Sequence, residues 1–222
     1  MIFETREAAA YLLAKSLREY QGRNPLILAL PRGAVPMAKI LATELKGEMG
    51  LVLTRKISIP NYEEYAIGAV SESGLVYRNP DAASLRIPEE VFQAAKVRQQ
   101  NVIAKRRKEY RLDELRQSIK DRIVILVDDG IATGSTMFAA IEEVKAQEPA
   151  MLIVAAAVAP PTTAHEIRQK VDDLVLLDEP EDFYAVGQFF ADFRQVSDDE
   201  VKEILWGQSR SPTAAQRPPN YF

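Results

Sequence analysis

The chain has 222 residues, 47% of them hydrophobic, and 28 Lys and Arg against 32 Asp and Glu give a net charge of −4. That length suits one α/β domain with at most a small appendage, and the acidic excess argues against a protein that coats nucleic acid. The chain has no cysteine and a single histidine, which excludes disulfides, thiolate zinc sites and a cysteine nucleophile and leaves no basis for a transition-metal site.

In chain order, apolar residues at helical spacing, Ala8, Leu12, Leu13 and Leu17, predict a helix over 4–20. The acids at its start leave no room for a signal peptide. A short apolar run at 26–30 reads as a buried strand, broken by Pro31-Arg32-Gly33-Ala34. A helix follows over 35–45, ended by Gly47. A second strand is expected at 51–53, then a polar loop over 55–68. Residues 66–70 and 75–78 flank a turn and read as a hairpin. A long charged helix is expected over 88–111. Strands at 123–127, 151–157 and 174–177 alternate with helices at 135–147 and 163–170. This alternation predicts an α/β fold, a parallel β-sheet flanked by helices on both faces. No apolar run nears the roughly 20 residues that span a bilayer, so the protein is read as cytoplasmic, with no membrane partner.

The most informative stretch is Val-Ile-Leu-Val-Asp-Asp-Gly-Ile-Ala-Thr-Gly-Ser-Thr, 124–136. An apolar strand ends in two carboxylates, Asp128 and Asp129, and a loop of small residues leads into a helix. The acids can accept hydrogen bonds from vicinal ribose hydroxyls. The amides and hydroxyls of Ile131, Ala132, Thr133, Gly134, Ser135 and Thr136 can donate to a phosphate at a helix N-terminus. Gly134, with no Cβ, lets the backbone come close. The Walker A loop is excluded because no lysine follows Gly134, and the Gly-x-Gly-x-x-Gly loop does not fit.

This stretch resembles the phosphoribosyl-diphosphate (PRPP) signature of type I phosphoribosyltransferases, within them most closely a bacterial group known only as predicted phosphoribosyltransferases. The likeness covers about residues 1–206. It implies one domain with a C-terminal hood at about 178–195, followed by a flexible tail over 207–222. It also implies transfer of the ribosyl 5-phosphate of PRPP to a nucleobase-like acceptor with release of pyrophosphate. The cofactor would be Mg²⁺, held mainly by PRPP oxygens and water, and the assembly a homodimer. Asp128 and Asp129 would hold the ribose, Asp129 being favoured to take a proton from the base. Neutralising both acids should relieve repulsion, so that stability holds or rises. Pro31, Arg32 and Gly33 fall in the family's pyrophosphate loop, whose backbone often takes an unusual conformation. Arg55 and Lys56 would face the leaving pyrophosphate, and Lys56 is counted with the acids as catalytic. Residues 57–67 resemble the loop that closes over PRPP. In the hood, Phe183 or Tyr184 would stack on the base, Val186 would offer backbone groups to its edge, and Asp192 would be the acid near the metal. The chain is one residue longer than the family pattern between Gly187 and Asp192. The alternative is a non-catalytic protein of the same fold that senses PRPP or a nucleotide. The basic residues of 88–111 are read as a solvated face that raises the local positive potential, with RNA binding as the minor reading. His165 is read as a surface helix residue.

Overall fold

The computed structural model describes residues 1–58, 66–115 and 117–207. Helix α1 (Arg6–Ser16) is capped by Thr5, whose side chain accepts from the Ala8 amide, and a 3₁₀ turn at Arg18–Tyr20 follows it. Then come β1 (Leu26–Ala29), α2 (Val35–Leu45), β2 (Glu48–Leu51), β3 (Thr54–Ile57), β4 (Gly68–Ser71), β5 (Val76–Arg78) and α3 (Glu89–Glu109). The second half adds β6 (Ile123–Gly130), α4 (Ser135–Lys145), β7 (Met151–Val158), α5 (Pro161–Arg168), β8 (Asp173–Asp178) and α6 (Asp198–Trp206).

Five strands form a parallel sheet in the order β2-β1-β6-β7-β8. Its central strands β1 and β7 are apolar throughout, and β6 is apolar up to Val127, because both faces are covered. Side chains alternate across β6: Ile125 and Val127 enter the core under α1 and α2, while Val124 and Leu126 enter the core under α4 and α5. β1 and β6 are neighbours and run the same way. The loops that leave their C-terminal ends therefore emerge side by side, where open α/β sheets bind ligands.

Three differences from the sequence reading have clear causes. The second strand is Glu48–Leu51, not 51–53, because its register is set by pairing with β1 rather than by its own apolar residues. Residues 54–57 are not loop: they pair with β4 and turn the hairpin into a three-stranded antiparallel sheet. Helix α6 is absent from the sequence reading, although Ser197 and Glu200 form a reciprocal capping box at its start, a pattern legible in Ser-Asp-Asp-Glu. The expected closing loop over 57–67 falls mostly on 59–65, outside the described residues, as does the tail at 208–222. Among the described residues no helix is long and apolar enough to cross a membrane.

Candidate active site

The loop between β6 and α4 is held from behind. The Ile131 amide donates to the Val158 carbonyl at 2.8 Å, and the Thr163 hydroxyl donates to the Ala132 carbonyl at 2.7 Å. Ile131 is thus spent on the sheet, with its side chain buried, and cannot lend its amide to a phosphate. Gly134, the N-cap of α4, has φ +73° and brings no side-chain cap. The first amides of α4 therefore lack an intrahelical partner and stand ready for an anion. The Thr133 and Ser135 hydroxyls lie 3.3 Å apart beside them. A Cβ on Gly134 would lie 2.7 Å from the Phe138 ring and 3.0 Å from Thr163. It would point into the loop's packing, and not into the space of the anion.

The two acids at the end of β6 have different surroundings. Asp129 is buried and its Oδ2 accepts from Nε of Arg6 at 2.7 Å. Asp128 accepts the Asp129 amide on Oδ1 at 2.9 Å. Burial, and the Asp129 carboxylate next to it, push the Asp128 carboxyl well above the usual range. Residues 30–34 press against the same place. A Cβ on Gly33 would lie 2.1 Å from Asp129 Oδ2, so only glycine lets this loop close on the acid. The Pro31–Arg32 peptide is cis, an unusual conformation of the kind expected there. Arg32 reaches outward and donates to Asp198 at 3.2 Å.

The Phosphoribosyl transferase domain family matches residues 2–194. The chain belongs to the phosphoribosyltransferase family. A crystal structure of TT1426 from Thermus thermophilus superposes with a TM-score of 0.78 and 38% identity, covering 92% of this chain and 98% of that one. A provisionally named phosphoribosyl transferase of Mycobacterium tuberculosis, recorded in two strains, is 32% identical over 205 residues, 92% of this chain. The chain spans 46% of the length of those relatives.

The segment expected to form the hood is tied to the first residues of the chain. Phe3 bridges to Phe190, and the amides of Ala191 and Asp192 donate to the Phe3 and Glu4 carbonyls at 2.8 and 2.9 Å. Phe183 packs on Phe189, with ring centroids 5.2 Å apart, whereas Tyr184 is 89% exposed. Tyr184 is thus the ring left free, and Phe183 is largely spent on packing. Val186 caps the end of β6: a Cβ on Gly130 would come within 2.5 Å of it. The structure also separates Arg55 from Lys56. Successive residues of a strand point to opposite faces, and the Arg55 Nε donates to Gln99 of α3 at 3.2 Å while Lys56 is exposed. The expectation that both face one anion does not hold. Asp192 is exposed and its Oδ1 accepts the Arg194 amide at 3.1 Å. Among the described residues no group of three His, Cys, Asp or Glu could hold a metal, so the residues present do not build a protein cage for Mg²⁺.

Several residues that no motif marks shape this site. Arg6 bonds Asp129, donates to the Arg194 carbonyl at 2.7 Å, and lies 3.9 Å over the Phe193 ring. Nothing in a lone arginine at a helix start announces this. Gln188 organises the hood loop, accepting from the Tyr184 and Ala185 amides at 2.9 and 3.0 Å and donating to the Asp182 carbonyl at 2.9 Å. Thr163 backs the loop between β6 and α4. The basic run of α3 is largely spent within the fold: Arg107 bonds Glu72 and Asp113, Lys105 pairs with Glu109, and Arg106 approaches Asp198. His165 lies exposed on α5, 2.9 Å from Gln169.

Proposed function

We propose that this protein transfers the ribosyl 5-phosphate of PRPP to a nucleobase-like acceptor and releases pyrophosphate. The observation that carries the reading is the junction at Gly33. There the loop after β1 is pressed against Asp129, and in this reading the pyrophosphate lies on that loop beside the ribose. In this reading the 5′-phosphate sits on the amides of 133–136 and the hydroxyls of Thr133, Ser135 and Thr136. Asp128 and Asp129 hold the ribose hydroxyls and favour positive charge on the sugar.

The C1–O bond to pyrophosphate breaks and its electron pair leaves with the pyrophosphate. The lone pair of a ring nitrogen forms the new C1–N bond, and the proton of that nitrogen passes to a carboxylate. The sequence alone favours Asp129 for that proton. With Arg6 bound to Oδ2 of Asp129, that proton passes to Asp128, the carboxylate that no arginine holds. Little covalent work falls to the protein, so rate comes from positioning and from charge stabilisation of the leaving group. Mg²⁺ would be held mainly by oxygens of PRPP and water and would supply charge neutralisation at the pyrophosphate. Tyr184 is the ring offered to the base, with Val186 at its edge. Assembly as a homodimer belongs to the same proposal and is read by light scattering.

The test is pyrophosphate release from Mg·PRPP with a panel of purine and pyrimidine bases. Release that needs a base supports the transferase. Binding of PRPP with no release under any base supports the sensing protein instead.

A further inference from the structure

We propose that Arg106 of α3 is a third arginine of the pyrophosphate subsite, beside Arg32 and Arg55, and that Asp198 of α6 is the counter-ion of Arg32 and Arg106 until pyrophosphate arrives. This inference rests on the reading above.

Arg32, in the loop after β1, donates to Asp198 Oδ2 at 3.2 Å. Arg106 places a guanidinium nitrogen 4.0 Å from Asp198 Oδ1. The Tyr110 hydroxyl donates to that same oxygen. Arg55 comes from β3 and is steadied by Gln99, two helical turns before Arg106 on one face of α3. Burial, and then the Arg106 charge, hold the Arg55 guanidinium below its ordinary range. Two arginines from separate elements, Arg32 and Arg106, thus gather beside one carboxylate, and Arg55 from a third element lies close enough to Arg106 to feel its charge. Such an excess of positive charge at a ligand-binding edge suits a multiply charged anion.

The arrangement also has the form of a replaceable contact. Asp198 is the first residue of α6, and its side chain is 41% exposed, more open than Arg32 at 25% or Arg106 at 22%. Hydrogen bonds from Tyr110 and Arg32, and the Arg106 charge, hold its carboxyl below the usual range. An incoming pyrophosphate brings more charge and more acceptor oxygens to the same donors. The Trp206 indole bonds the Tyr110 carbonyl at 2.9 Å, so α6 stays attached to α3 while Asp198 yields.

The experiment is calorimetric titration of the full chain with Mg·pyrophosphate and, separately, with ribose 5-phosphate. The variants are Arg106→Gln, Arg106→Lys and Asp198→Asn, each checked for an unchanged melting curve. Arg106→Gln should weaken pyrophosphate by about tenfold or more through loss of charge-assisted bonds. Arg106→Lys should recover part of that loss, and Asp198→Asn should tighten pyrophosphate. Ribose 5-phosphate should bind all three like wild type. If Arg106→Gln binds pyrophosphate like wild type while ribose 5-phosphate still binds, the inference is wrong. If pyrophosphate and ribose 5-phosphate weaken together in Arg106→Gln, Arg106 is structural and the inference also fails. If wild type binds neither ligand, the functional reading itself falls, and the inference with it.

Discussion

Asp128 and Asp129 are adjacent and chemically identical, yet neutralising each should move stability in opposite directions. Asp129→Asn strands the Arg6 guanidinium, whose side chain is 9% exposed against 12% for Asp129. Breaking a buried pair of this kind costs about 3–5 kcal/mol. Asp128→Asn instead removes a carboxyl whose folded-state value is raised by burial and by its neighbour. The stability that such a group contributes is fully present below its ordinary value of 3.8 and is lost as pH rises through the raised value. Asp128→Asn should therefore gain on wild type as pH climbs. Melting temperatures of the two variants and wild type between about pH 4 and pH 8 test this; a gap between Asp128→Asn and wild type that stays flat with pH would refute it. The expectation that neutralising both acids leaves stability unharmed is revised, because Arg6 is not visible in the motif. Gly134→Val is a second case at this scale. A β-branched residue at φ +73° is strained, at about 1–3 kcal/mol, before its contact with Phe138 is added. The variant should melt earlier and lose ribose 5-phosphate binding together, because the Cβ distorts the loop instead of filling the anion's place. Normal occupancy of ribose 5-phosphate in the variant would count against the loop assignment.

At the scale of elements, β3 decides what Arg55 and Lys56 can do. A loop could have turned both toward one anion, but a strand paired with β4 sends them to opposite faces. Arg55 then belongs with α3, and Lys56 stays exposed at the other face of the strand. Lys56→Ala should therefore leave the rate with a base near wild type, whereas Arg55→Ala should lower it more than it lowers ribose 5-phosphate binding. Steady-state kinetics set beside that titration decide it, and a large rate loss in Lys56→Ala would return Lys56 to the pyrophosphate end. The first turn of α6 offers a matching test of structure. Ser197 accepts the Glu200 amide at 3.1 Å, and Glu200 accepts the Ser197 amide at 2.8 Å. Ser197→Ala should cost about 1 kcal/mol in denaturant unfolding; no loss would mean that α6 is held by Val201 and its packing alone.

On the scale of the whole molecule, the segment proposed to face the base depends on the first residues of the chain. Phe3 is buried against Phe190 and trades backbone bonds with 189–191. Phe3→Ala should cost about 3–5 kcal/mol and raise the KM for the base far more than it weakens ribose 5-phosphate binding. Equal loss of both would mean that the N-terminal segment supports the whole sheet and not the hood in particular. What the sequence by itself determined is local. The acid pair, the small-residue loop and the helix that follows lie within 124–136, and their chemistry comes from backbone amides and carboxylates that neighbours in the chain supply. The alternation of strands and helices was legible for the same reason, since periodicity is a short-range signal. The tertiary structure alone decided which charges meet. Arg6 reaches Asp129 across 123 positions, and Arg32 reaches Asp198 across 166. The pairing of 54–57 with β4 likewise depends on a partner strand. A contact between residues so far apart leaves no pattern at either end, because each side chain alone would be equally content in water.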